Sequence, residues 1–565
     1  MIRFGLRWSW LLSVMGCSAL VGTIPTFSIP SLWAAQAAST SSSAARGNSE
    51  RPAAHRQWRH AAIATEHELA TRAAMRAVER GGNAVDAAVT AALVSGVVAP
   101  ASSGLGGGGF ALLWLERAKR SVFLDFRETA PRALVEASLN ARPLSAEERG
   151  RAIGVPGEPS GLYTLQRRYG RLAFRDVVDD ATRLARQGFP TGAHLARVLK
   201  GLALGAPRRE LLDALSSPAS GIAQGRTIRF PALARTLEAY GRSGPVAFTH
   251  GAIAEDVVRA AKKYGSTLSL EDLRDYVPVE REPLRRAWGK YVVVTAPPPS
   301  AGGLLLLQTL GKFTLEEWSR ISAKDERIHV LAESYRQSFA DRAEHVGDPH
   351  FVDVPVGSML SSESLTAQRR RIHLGETRHL RRSALEEHGT SHISIVDREG
   401  NAVALTTTVN DAFGSKVVAP ESGVILNDEL DDFSSGPNRP RALARPVSSM
   451  TPTLVFDGDQ IRYVLGGSGG MTISTNVTST LLGLLADGLS PSAAVEAPRF
   501  TVDLRKDALV LEPGFGSEVL DGLRRRGEPA SEAPRWWSAV QVVGLDSLGA
   551  RAASDPRKLG SAMVK

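Results

Sequence analysis

Residues 390–410 read TSHISIVDREGNAVALTTTVN. Thr390–Val396 and Ala402–Val409 alternate in polarity and are rich in β-branched side chains, the pattern of half-buried strands. Asp397-Arg398-Glu399-Gly400-Asn401 between them is a polar, glycine-containing hairpin loop. If Val396 faces Ala402, an antiparallel register sets Thr390 opposite Thr408. The two-residue period then lays Thr406, Thr408 and Asn410 on one face. Threonine is a good strand former, so such a hairpin taken alone needs no function.

The flanking segments add chemistry. Leu426–Phe433 crowds Asp428, Glu429, Asp431 and Asp432 into a short turn, Pro446–Met450 sets Ser448 beside Ser449, and Gly466-Gly467-Ser468-Gly469-Gly470 offers uncovered backbone N–H groups. Upstream, residues 363–389 are polar and charged, as expected of an exposed linker. Residues 160–340 are predicted mainly helical, with breaks at Gly188-Phe189-Pro190, Ser216–Gly221 and Ala296–Gly303 and an amphipathic helix over Ile328–His345. Earlier still, His67–Arg80 has helical spacing and stops at Gly81-Gly82-Asn83. A second helix is expected over Ala84–Val98, then a loop over Pro100–Gly109 and strands over Phe110–Trp114 and Ser121–Phe126. No repeat period is evident. A helix-rich first part thus feeds a strand-rich second part, an α/β or α+β layered fold.

At 565 residues, the chain exceeds what one compact core usually holds, so two domains or one large layered domain are expected. It is 43% hydrophobic and 22% charged, ordinary for a globular protein, with a net charge of +9. Basic clusters at Arg285-Arg286, Arg369–Arg371 and Arg524–Arg526 are short, acids are interspersed, and no aromatic-interleaved basic stripe marks a nucleic-acid partner. Arg3 and Arg7 precede an apolar run, Trp8–Ile24, and Ala35-Gln36-Ala37 is an A-x-A cleavage site. Residues 1–37 are therefore expected to be a removable signal peptide, making the protein secreted or periplasmic, with 38–60 a flexible spacer. A lipid anchor on Cys17 and an uncleaved helix are the alternatives; no stable membrane span is expected. Cys17 is the sole cysteine, so a mature chain would hold no disulfide and no thiol nucleophile.

Taken together, these segments resemble the γ-glutamyltransferase family, a branch of the N-terminal nucleophile hydrolases. The hairpin, acidic turn, serine pair and glycine run resemble that family's small subunit. GGNAVDAAV (81–89), SSGLGGGGF (102–110), DFRETAP (125–131), GVPG (154–157), PPPSAGG (297–303), FADRAEHVGDPHFVDVP (339–355) and ASDPRKLG (553–560) resemble further family blocks, in family order. The resemblance runs from about Ala61 to the C-terminus.

It implies an α+β fold, the four-layer αββα sandwich, built jointly by a large subunit (61–389) and a small catalytic subunit (390–565) that form a heterodimer from one precursor. The precursor would cut itself at Gly389–Thr390, freeing Thr390 as nucleophile. The chemistry agrees: a threonine hydroxyl needs a base, and a free α-amino group with a pKa of about 7.7–8.0 is one, whereas the uncut amide is not. By the same resemblance Thr408 would orient Thr390, and Gly469 and Gly470 would form the oxyanion hole, whose donors typically contribute about 3–4 kcal/mol each. Arg127, Ser448 and Ser449 would hold the α-carboxylate of a γ-glutamyl donor, and Asn410, Glu429 and Asp432 its α-ammonium. Taken singly, Arg127 is an ordinary surface arginine and Asp432 a turn residue; the set fits one zwitterion. The implied substrates are a glutathione-like donor and water, an amino acid or a peptide as acceptor. Neither metal nor organic cofactor is implied.

Only twelve residues, 434–445, separate Phe433 from Pro446, which resembles members lacking a substrate lid. A glutaryl-cephalosporin acylase and a non-catalytic secreted relative are the alternatives. Gly104–Gly109 fits GxGxxG but follows a helical pattern and precedes a strand, the reverse of a dinucleotide site. His392 is read as structural, and Trp536-Trp537 as core or interface packing.

Overall fold

The computed structural model describes residues 60–139, 144–202, 206–215, 223–374, 389–504, 506–534, 538–547 and 549–565. The expected leader with Cys17, the Ser216–Gly221 break, linker residues 375–388 and the Trp536-Trp537 pair lie outside them. Two antiparallel sheets organise the rest. The seven-stranded sheet runs Ser561–Val564, Ala62–Thr65, Gly389–Val396, Ala402–Asn410, Gly108–Leu115, Arg120–Asp125, Val279–Arg281. The six-stranded sheet runs Gly549–Ser554, Ala539–Asp546, Gln460–Ser468, Thr453–Asp457, Tyr291–Thr295, Leu284–Trp288. Both sheets mix strands from either side of residue 389.

The period-two alternation decides the layering. Ile393, Ile395, Val403 and Leu405 leave the first sheet on one face and pack into a core with helices Glu68–Glu79, Ala84–Val98 and Phe174–Gln187. Val396, Ala402 and Ala404 leave on the other and meet Leu454, Val464 and Val542 of the second sheet. Helices Gly302–Lys312, Lys324–His345 and Thr472–Leu485 share that second core and cover the far side of the second sheet. The result is the αββα order of layers. Burying Ile393, Ile395 and Leu405, each with 0% exposure, stabilises by roughly 1.5–3 kcal/mol apiece. A one-residue slip would exchange them for residues such as His392, Ser394 and Thr406, so the hairpin register is strongly held.

That register is the one read from the sequence: Val396 faces Ala402 and Thr390 faces Thr408. The extension to Asn410 is corrected. The ladder shifts after Thr408, so that Asn410 faces Gly389, and Asn410 takes a φ of 72°. Alternation therefore ends at Thr408, and Asn410 does not continue its face; asparagine is among the residues that tolerate this left-handed turn. Three more expectations change. Val279–Arg281, Leu284–Trp288 and Tyr291–Thr295 are strands inside the stretch read as helical. Their signal was the Gly289-Lys290 turn between alternating runs, with Gly289 at a φ of 59°. The start of the segment read as linker, 363–389, belongs to a helix, Ser362–Arg370, capped by Ser361. The strand after the glycine loop starts at Gly108, because the ladder to Thr408 and Thr407 extends through Gly108 and Gly109. Among the described residues, no helix is long and apolar enough to cross a membrane.

Candidate active site

Thr390 is 2% exposed at the end of its strand, and its Oγ1 lies 3.2 Å from Thr408 Oγ1. Thr408 Oγ1 donates to the Gly389 carbonyl oxygen at 2.8 Å and accepts the Asn410 N–H at 2.9 Å. A hydroxyl has one proton, and Thr408 has placed it on Gly389. The hydroxyl proton of Thr390 is therefore the one shared in the Thr390–Thr408 contact. The bulge noted above is what aims the Asn410 N–H at Thr408. Asn410 Nδ2 donates onward to the Asp428 carbonyl at 3.1 Å, tying the hairpin to the acidic turn.

Two residues that sequence reasoning missed support Thr390 from behind. Lys558 Nζ donates to the Thr390 carbonyl at 2.8 Å and to Glu66 Oε2 at 3.0 Å. Glu66 Oε1 accepts the His392 N–H at 3.1 Å, and the carboxylate lies beside the Ser468 side chain. Burial pushes the Glu66 carboxyl up, against the opposing pull of Lys558. Lys558 belongs to the quoted ASDPRKLG block, a signal that could have flagged it; Glu66, at the end of a short strand, carried none.

Arg127 is fully buried rather than a surface arginine. Nε donates to the Pro446 carbonyl at 2.8 Å, while Nη1 meets Glu429 and Nη2 meets Asp432. The guanidinium assigned to a substrate carboxylate thus pairs with two carboxylates assigned to a substrate ammonium. Glu128, also missed, adds a third carboxyl. Its Oε2 would lie 2.5 Å from a Cβ on Gly108, directly across the ladder from Thr408, so the cluster adjoins the threonine pair. Burial raises both Glu128 and Glu429, and mutual repulsion adds to it, with Arg127 pulling the other way. Three carboxyls around one guanidinium cannot all be ionised cheaply, so the set retains protons.

Several quoted blocks converge here. Asn427 bonds Gly106 and Gly154, joining the glycine loop and GVPG to the acidic turn. In PPPSAGG, Ser300 Oγ donates to the Met450 carbonyl at 2.6 Å and Ala301 N–H to the Ser448 carbonyl at 2.8 Å, strapping down the serine pair. Ser448 Oγ accepts the Met450 N–H, whereas Ser449 Oγ accepts Arg342 Nη1 at 2.6 Å. Gly469 and Gly470 form the turn from the Gln460–Ser468 strand into the helix Thr472–Leu485, at φ of 118° and 64°. Their N–H groups thus sit at a helix N-terminus, where the dipole favours negative charge. A cavity of about 720 Å³ is walled by Asp432, Val447, Met471, Arg342 and Arg439.

His392 is no base. Its ring holds Thr406 and Ser394, burial pushes its pKa down to about 3, and a Cβ on Gly466 would come within 2.2 Å of it, so it packs between the sheets. In the glycine loop, a Cβ on Gly107 would lie 2.0 Å from the Thr408 carbonyl oxygen; the loop serves close backbone approach. Among the described residues, no group of three or more His, Cys, Asp or Glu is disposed to hold a metal ion.

The sequence profile of the gamma-glutamyltranspeptidase family matches residues 70–565. The chain is 31% identical over 532 residues to the glutathione hydrolase proenzyme of Escherichia coli (strain K12), covering 88% of this chain and 90% of that protein. It is 30% identical over 516 residues to the glutathione hydrolase proenzyme of Bacillus subtilis (strain 168), covering 86% and 87%. Among solved structures, cephalosporin acylase from Bacillus halodurans superposes with a TM-score of 0.80 at 26% identity, covering 90% of this chain and 96% of that one.

Proposed function

This chain belongs to the gamma-glutamyltranspeptidase family, and from that membership we propose that it cuts itself between Gly389 and Thr390 and then transfers γ-glutamyl groups. The donor is glutathione or a related γ-glutamyl compound; the acceptor is water, an amino acid or a peptide. The observation that carries the reading is the Thr408 hydroxyl, which polarises the Gly389 carbonyl while accepting the Thr390 proton. Attack of Thr390 Oγ1 on the Gly389 carbonyl carbon forms an ester and breaks the peptide C–N bond, whose nitrogen takes up a proton as the new α-amine. Water then hydrolyses the ester. The two products, 38–389 and 390–565 once the leader is removed, stay together because each sheet interleaves strands of both.

In the mature enzyme the α-amine takes the hydroxyl proton as Thr390 attacks a γ-amide. The α-amine hands that proton to the departing amine, which leaves a γ-glutamyl-threonine ester; the acceptor then attacks the ester carbonyl, takes the γ-glutamyl group and frees the Thr390 hydroxyl. Arg127, Ser448 and Ser449 bind the α-carboxylate; Asn410, Glu429 and Asp432 bind the α-ammonium; Gly469 and Gly470 stabilise the oxyanion. The substrate zwitterion replaces the ion pairs that Arg127 makes with Glu429 and Asp432, so charge balance is kept. Arg3, Arg7, the Trp8–Ile24 run and Ala35-Gln36-Ala37 support export to the periplasm or beyond.

The acylase likeness favours a second reading, hydrolysis of glutaryl amides. A glutaryl group lacks the ammonium, and the paired Glu429 and Asp432 favour the glutamyl donor. The test expresses the protein without residues 1–37, separates it on a denaturing gel and sequences the smaller fragment. The smaller fragment is expected to begin Thr-Ser-His-Ile, and the undenatured enzyme to turn over γ-glutamyl anilide faster than glutaryl anilide. An intact, inactive chain would refute the proposal, and a glutaryl preference would install the acylase.

A further inference from the structure

We propose that Arg342 is a positioning and specificity residue for the donor's α-carboxylate, acting through Ser449. The inference rests on the γ-glutamyl reading above. Arg342 sits in the last turn of the helix Lys324–His345, far along the chain from the serine pair, yet its Nη1 is 2.6 Å from Ser449 Oγ and 3.4 Å from Met471 Sδ. One guanidinium nitrogen therefore bridges the serine pair and the residue that follows the Gly469-Gly470 turn. The same side chain forms part of the cavity wall shared with Asp432 and Val447.

The donor and acceptor inventory fixes what this contact does. A guanidinium has no acceptor and keeps its charge at any working pH. Ser449 Oγ must accept from it, so the serine's single proton is left to donate elsewhere. Among the described residues, Arg342 is the one side chain that hydrogen-bonds Ser449 Oγ. The proton is then available to a carboxylate arriving beside Arg127. Electrostatics require such help. Arg127 already faces Glu429 and Asp432, with Glu128 close by, so the α-carboxylate enters an acid-rich cluster. A second buried-edge cation, transmitted through a polarised hydroxyl, offsets that field.

The contact predicts a dependence on the carboxylate itself. Arg342→Gln should raise KM for γ-glutamyl anilide roughly 10- to 100-fold with kcat nearly unchanged, the scale of one hydrogen bond to a charged group. Arg342→Lys should restore most of the loss. In a Ser449→Ala background, Arg342→Gln should add little. With 4-aminobutanoyl anilide, which keeps the amine and lacks the α-carboxylate, wild type and Arg342→Gln should perform alike. A readout independent of maturation is thermal stabilisation by free glutamate, expected in wild type and lost in Arg342→Gln. Unchanged KM, an equal penalty in the Ser449→Ala background, or an equal loss on the 4-aminobutanoyl probe overturns the role of Arg342. Wild type that turns over glutaryl but not γ-glutamyl anilide overturns the underlying reading as well.

Discussion

Lys558 donates to the carbonyl oxygen of Thr390 across 2.8 Å, although 168 positions separate the two in sequence. The ammonium is buried and its counter-charge is Glu66, itself buried, so the pair fixes the start of the strand Gly389–Val396, where Thr390 lies.

Breaking a buried pair by removing one partner costs about 3–5 kcal/mol, because the remaining charge is stranded. Lys558→Met should therefore lower the melting temperature and slow self-cleavage. Glu66→Gln combined with Lys558→Met should melt higher than Lys558→Met alone. Strictly additive losses in a double-mutant melt would show that the two residues do not act as a pair.

Thr408→Val keeps the shape of the side chain and removes its hydroxyl. Loss of the group that accepts the Thr390 proton should slow self-cleavage by about 10²-fold or more. Thr408→Ser should process nearly normally. A time course of the two bands on a denaturing gel decides it; rapid processing of the valine variant would remove Thr408 from the mechanism.

The protonated carboxyl set around Arg127 gives a pH dependence. Glu128 and Glu429 have raised pKa values, Glu128 to about 8, so below that pH the free enzyme holds protons that an arriving ammonium must displace. KM for a γ-glutamyl donor should accordingly fall as pH rises from 6 to about 8. Glu128→Gln should flatten that slope. A KM that rises over the same interval would contradict the assignment.

Gly469→Ala tests the glycine turn. A Cβ there would lie 2.5 Å from Ser538 Cβ, and the φ of 118° disfavours any side chain. Displacing this N–H should lower kcat by about 10²–10³-fold with a smaller effect on KM. The steady-state parameters of the soluble variant check it.

Away from the reaction, Glu158 is buried at the start of the helix Glu158–Tyr169, and burial pushes its pKa from 4.5 to about 8. The folded state binds this proton more tightly than the unfolded state. Its contribution to stability is full below pH 4.5 and is lost as pH rises through 8. Glu158→Gln removes that loss. Its melting temperature relative to wild type should rise between pH 5 and pH 8.5; parallel curves would exclude an ionisable Glu158 as the cause.

The hairpin 389–410 shows how far local sequence reaches. Alternation, β-branched content and a five-residue loop specify its register, because a slip would turn Ile393, Ile395 and Leu405 out of the helix-covered core and put polar residues such as His392 and Thr406 in their place. The helices His67–Arg80 and Ala84–Val98 were legible for a similar reason: each is a contiguous periodic run with its own stop or cap. The strands over 279–295 were not, since short runs carrying Arg285 and Arg286 look polar until the helix Gly302–Lys312 covers one side of Leu284–Trp288.

The sequence alone determined the face-to-face setting of Thr390 and Thr408, because it follows from hydrogen bonds between near neighbours in one hairpin. Only the tertiary structure decided what surrounds them. The strand Ala62–Thr65 pairs on one side with the Thr390 strand and on the other with Ser561–Val564, which carries Glu66 and Lys558 to the site from opposite ends of the chain. Burial, not composition, turned Arg127 from a surface cation into the hub of a carboxyl cluster and brought Arg342 against Ser449. Such contacts depend on which strand edges meet and how much water they exclude, and no local pattern encodes either.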